Sequence, residues 1–184
     1  ALMEHGVAGI IFVSGLHADP RADVARYARL RRAGLPMVFV NGFNKGIDAP
    51  FISNDDAASM ALAVGHLVAL GHVRIGLAVG PDRCIPVIRK IDGFRNAMYR
   101  HLAVQDVHPW VDRSLFSVEG GAAAAARLVG AGCTAVICGS DPMAIGAIRE
   151  VRRRGYRVPE GISVIGYDDS SFGVFTDPPL TTIR

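Results

Sequence analysis

Residues Gly161–Arg184 read GISVIGYDDSSFGVFTDPPLTTIR. The apolar run Ile162–Ile165 has the composition of a parallel strand buried on both faces, and Gly166 ends it. Asp168 and Asp169 then stand at the strand's expected carboxyl end, the edge at which open α/β sheets bind ligands. Pro178-Pro179 suits neither a helix interior nor a central strand, and Leu180–Ile183 returns to β-favouring residues. A buried strand therefore delivers acids to a rim, and a stiff step carries the chain away from it.

The same alternation runs back through the chain. Gly6–Ser14 reads as a buried strand, and Asp19-Pro20 predicts a helix start with Asp as cap and Pro at the first position. Met37–Val40 is a second strand and Phe51–Ser53 a short one. Asn54-Asp55-Asp56 predicts the cap of a helix over 57–70, followed by a strand over 73–79. Ile85–Leu102 is a longer helix with Gly93 inside it. Ser114–Val118 reads as a strand, 119–129 as an alanine-rich helix and 134–138 as another buried strand. Ser140 or Asp141 caps the next helix, which Arg152, Arg153 and Arg154 close before Gly155. Strands alternating with helices across short connections predict an α/β fold with parallel sheets covered on both faces. The break at 80–86 is the expected passage between two lobes.

Composition narrows the function classes. The net charge of +3 comes from scattered arginines rather than one basic block, so it does not by itself point to nucleic acid. Cys84, Cys133 and Cys138 have no zinc or CxxC spacing, and the last two sit in apolar surroundings as small core residues. No apolar run approaches the roughly 20 residues of a membrane span. The chain does not begin with Met, which predicts a fragment or a processed product.

Ser14, Asn41, Asp55/Asp56, Ser140/Asp141 and Asp168/Asp169 each follow an apolar strand, which predicts a rim of hydroxyls and carboxylates. Carboxylates accept pairs of hydroxyl hydrogen bonds, so such a rim suits a polyhydroxylated ligand. For Asp55, Asp56 and Asp141 helix capping competes with that reading. Catalysis is disfavoured. His66 and His72 lie off the i, i+4 spacing of a helical metal pair, there is no G-x-S-x-G elbow, and no glycine-rich phosphate cradle follows the first strand. No cofactor is predicted.

The closing stretch, together with VAGIIFVSG (7–15), HLVALGHVRIGLAVGP (66–81), IRKIDGFRNAM (88–98), FSVEGGAAAAARLV (116–129) and TAVICGSDPMAIGAIREVRRRGYRVPEGISV (134–164), resembles the LacI/GalR family of transcriptional regulators. The matches run in family order over nearly the whole chain. The resemblance implies two Rossmann-like lobes of the periplasmic-binding-protein type. The N-terminal lobe would be incomplete (1–80), the C-terminal lobe would span 81–177, and 178–184 would cross back to the first. It implies a small effector, often a sugar, bound in the cleft, a homodimer, and operator DNA held by a helix-turn-helix upstream of this stretch. It also implies a cytoplasmic regulator and no enzyme.

By motif position, Phe116 stands where the family places an aromatic ring on the effector, and Asp168 where an acid accepts effector hydroxyls. Lys90 replaces the usual clamping Arg, which loses the bidentate fork unless Arg89 takes over. Ser140 replaces the common Asn before Asp141. Asp55 and Asp56 hold the family's Asp-Asn step, Pro86 replaces a contacting Ser, and Ser14 joins the rim. A free periplasmic sugar-binding protein of a transporter is the competing class, because it shares the fold.

Overall fold

The computed structural model describes residues 6–13 and 15–184. Ser14 and the expected start of the first strand's rim fall outside these residues. The chain forms two compact units. The first runs to Asp55 and takes in residues 83–88, and the second comprises 56–82 and 89–184.

The first unit is a three-stranded parallel sheet, β1 (Ile10–Phe12), β2 (Met37–Val40) and β3 (Phe51–Ile52), in that spatial order. Helix α1 (Ala25–Arg32) covers one face. Phe39 stacks on Phe12 at 4.9 Å and on Phe51 at 5.1 Å, and the buried Tyr27 of α1 meets Phe39 edge-on at 5.0 Å. Strand residues of the opposite parity, Ile11 and Ile52, are exposed, as period-two alternation requires when only one face is packed. The helix expected from Asp19-Pro20 begins later. The Asp19 carboxylate accepts from Arg21 N at 2.9 Å and its carbonyl from Ala22 N, closing a turn there, and Asp23 accepts from Ala25 N at 2.9 Å where the helix starts.

The second unit contains a five-stranded, all-parallel sheet in the order β5-β4-β6-β7-β8. Its strands are β4 (Ile75–Val79), β5 (Val111–Arg113), β6 (Ala135–Cys138), β7 (Ser163–Tyr167) and β8 (Thr181–Ile183). This differs from the division at residue 80. Strand β4 pairs with β5 and β6, and β8 pairs with β7 through Ile165↔Thr181 to Tyr167↔Ile183. Every residue of β4 is buried, as in a parallel strand covered on both faces, but an apolar run does not encode which sheet it joins. The strand expected at 114–118 lies at 111–113. Its register with Leu77–Val79 is set by pairing, and Ser117 caps the next helix instead, accepting from Gly120 N at 3.0 Å.

Helices α2 (Asp56–Ala69), α3 (Ile85–Leu102), α4 (Val118–Gly130) and α5 (Asp141–Arg153) complete the α/β alternation, the first turn of α3 grouping with the first unit. Glycine inside a helix is unfavourable by about 0.8–1.0 kcal/mol relative to Ala. Gly93 tolerates that because a Cβ there would lie 2.9 Å from Ala57 Cα and 3.1 Å from Asp56 O, so its absence seats α3 on the first turn of α2. Gly121 and Gly146 do the same for α4 and α5, each facing the other helix's backbone. Cys133 and Cys138 are buried in the core around these helices, as expected.

Candidate functional site

Strands β4, β6 and β7 are parallel neighbours, so Gly80, Gly139 and Asp168, which follow them, share one edge of the second sheet. Phe116, from the connection between β5 and α4, lies on that edge. Its ring is the nearest neighbour of Gly80 and also reaches Gly139, yet 47% of the residue remains exposed. It is therefore not a core Phe. One part of the ring rests on bare backbone and the rest is open.

Asp168 stands directly after β7 with φ 97°, and Asp169 follows with φ 48°. Two successive non-glycine residues in the left-handed region are uncommon, and such strain persists only where the surroundings impose it. Partial burial raises the Asp168 carboxyl above its ordinary range. Lys90 opposes that shift, while the Asp141 and Asp56 charges reinforce it.

Asp141 imposes the turn. This fully buried carboxylate accepts from Ser170 N at 2.6 Å, from Ser170 Oγ at 2.5 Å and from Thr182 Oγ1 at 2.6 Å. Gly166 leaves it room, since a Cβ there would collide with Asp141 Oδ1. Asp141 thus ties α5, β8 and the loop after Asp169 together, and its acceptors are engaged within the protein. The adjacent Ser140 is the cap of α5, its hydroxyl accepting from Met143 N at 3.5 Å.

Lys90 also differs from an outward-reaching clamp. Its ammonium donates to Asp56 Oδ1 at 2.7 Å and lies 3.9 Å from the centre of the Tyr167 ring, with Lys90 and Asp56 side chains only 8% and 4% exposed. The Tyr167 hydroxyl donates to Asp56 at 3.2 Å or to Ser59 Oγ at 3.1 Å. This knot joins the start of α2, the middle of α3 and the end of β7 beneath Asp168. Arg89 is half-buried one residue before Lys90, Pro86 lies in the first turn of α3, and Asp55 is exposed at the end of the first unit.

Sequence reading thus finds Phe116, Asp168, Lys90, Ser140, Asp141 and Asp56 on elements that meet at or just beneath one edge of the second sheet. It misses Gly80, Tyr167, Ser170 and Thr182. Tyr167 had a signal, a large polar aromatic as the last residue of a buried strand. Gly80 had none, because its role is the space it leaves. His72 has a structural use at the opposite end of the sheet, with ring nitrogens 2.8 Å from Thr134 Oγ1 and 2.9 Å from Ser163 Oγ.

The parallel sheet thus presents an aromatic ring and a carboxylate at its carboxyl edge. The family described as periplasmic binding protein-like domain matches residues 64–184, and the chain belongs to it. Proteins and solved structures similar to this chain are named as transcriptional regulators, some of them of the LacI family. It is 56% identical over 186 residues to the HTH-type transcriptional regulator MalR of Streptomyces coelicolor, covering all of this chain and 54% of that protein. Among solved structures, a transcriptional regulator CelR–cellobiose complex superposes with a TM-score of 0.83 at 28% identity, over 98% of this chain and 55% of the other. A LacI family regulator from Enterococcus faecium with bound ribose gives a TM-score of 0.80 at 28% identity, over 98% of this chain and 66% of the other. The chain spans about half the length of the regulator MalR it matches. Among the described residues no helix is long and apolar enough to cross a membrane.

Proposed function

We propose that this chain is the effector-binding core of a sugar-responsive, DNA-binding regulator of the LacI type. The observation that carries the reading is the edge itself. An open aromatic ring and a carboxylate held in a strained turn lie at the carboxyl ends of neighbouring strands, in a chain whose relatives are named as regulators. The apolar C–H face of a sugar packs on an aromatic ring, and its hydroxyls donate to a carboxylate. Phe116 and Asp168 are the effector contacts in this reading. Asp56, Lys90, Ser140 and Asp141 act beneath them as supports, while Arg89 extends the polar rim.

The whole protein would be a cytoplasmic homodimer that holds operator DNA through a helix-turn-helix outside this chain, and effector binding would shift its affinity for that DNA. The regulator names of the relatives favour this over a transporter's periplasmic binding protein. Calorimetric titration of the full-length protein with maltose, cellobiose, ribose and glucose tests it. At least one sugar binds, and Phe116→Ala and Asp168→Ala each weaken that binding by about 1–3 kcal/mol. Unchanged affinity in both variants would remove the site assignment.

A further inference from the structure

We infer that Gly80 is a specificity-determining position that acts by seating the Phe116 ring. The inference rests on the reading of Phe116 as an effector contact and goes beyond it. A Cβ built on Gly80 finds Cε2, Cδ2 and Cζ of Phe116 as its three nearest atoms, all well inside van der Waals distance. The ring occupies the volume a side chain at 80 would need. On the other side, a Cβ at Gly139 would lie 3.5 Å from Phe116 Cε1, in ordinary contact. The ring is thus placed by the bare backbone after β4, with the backbone after β6 beside it.

Two further facts separate this from ordinary core packing. Gly80 is buried without adopting the left-handed backbone region, so conformational freedom does not require glycine there. And the group it accommodates is one of the exposed large hydrophobics, with nearly half its surface open. Holding an exposed ring in one orientation costs side-chain entropy, and bound ligand recovers that as pre-organisation. Any residue larger than Gly at 80 lifts or turns the ring, which changes the depth and tilt of the surface offered to a pyranose C–H face. The position therefore selects among uncharged saccharides by ring fit rather than by hydrogen bonding.

The test has two readouts. Crystal structures of the protein and of Gly80→Ala should show the backbone of β4 superposing and the Phe116 ring displaced. A ring that stays while the backbone moves overturns the inference, whether or not any sugar binds. In parallel, maltose, cellobiose, ribose and glucose are each titrated by calorimetry against the protein, Gly80→Ala, Phe116→Ala and the double variant. Gly80→Ala should weaken binding at least tenfold or reorder the four sugars, and should have no effect in the Phe116→Ala background. Full binding in Gly80→Ala while Phe116→Ala binds weakly, or an equal loss in both backgrounds, overturns the inference. If Phe116→Ala itself binds normally, or no sugar binds the unmodified protein, the effector-site reading fails, and the crystallographic comparison alone decides what Gly80 does.

Discussion

Lys90 distinguishes a structural ion pair from a ligand clamp, and its replacement by Met separates the two. The Lys90–Asp56 pair is 2.7 Å long with both side chains almost wholly buried. Breaking a buried pair by removing one partner typically costs about 3–5 kcal/mol, because the other charge is left uncompensated. The lost contact with the Tyr167 ring adds about 0.5–2 kcal/mol. Tyr167 can still donate to the stranded Asp56 carboxylate, which keeps the total toward the lower part of that range. Lys90→Met should therefore destabilise the second unit by about 3–4 kcal/mol, a fall in Tm of about 6–16 °C at 2–4 °C per kcal/mol. Trp110, the only tryptophan, packs against the second unit's core and reports the transition in urea. Asp56→Asn in the Lys90→Met background removes the stranded charge and should recover part of the loss, as a double-mutant cycle would record. The reasoning is refuted if Lys90→Met unfolds at the wild-type urea midpoint while losing sugar affinity, for Lys90 would then be the clamp that the resemblance implied.

Four other expectations follow from named contacts. Asp168→Gly should raise stability by about 1 kcal/mol, since glycine accepts φ 97° without strain, while lowering sugar affinity; a lower Tm would contradict it. Because burial raises the Asp168 carboxyl above its ordinary range, sugar binding should fall off on acidification at a pH above that of a free aspartate, and titrations across pH 4–6 should lose this dependence in Asp168→Asn. His72 is held neutral by burial, its pKa lying below the usual 6.5. Its two hydrogen bonds should contribute about 1–3 kcal/mol. That stability is complete above the unfolded pKa and is lost as pH falls through the lowered folded value, so the gap between the protein and His72→Ala narrows from pH 8 toward pH 5. Finally, Gly146→Ala should destabilise by about 2 kcal/mol or more despite a helix-propensity gain of about 1 kcal/mol, because the added methyl meets the Val118 carbonyl of α4; equal urea midpoints would refute it.

Local chemistry was sufficient for part of this protein. Apolar runs bounded by glycine and proline predicted most of the strands, and Ser140-Asp141 predicted the start of α5, because burial on both faces and helix capping are properties of a few adjacent residues. Motif position placed Phe116 and Asp168 at one edge of a sheet. The helix expected at Asp19 and the strand expected at 114–118 moved because an Asx turn and a register with β4 outcompeted local propensity. Only the tertiary structure decided which sheet takes β4 and β8, since a run of buried residues carries no address for its partner. It alone turned Lys90 inward onto Asp56 and Tyr167, gave Asp141 three internal donors, and let Gly80 hold the ring of Phe116. Those contacts join residues between 29 and 111 positions apart, or depend on the absence of a side chain, and neither leaves a periodicity along the chain.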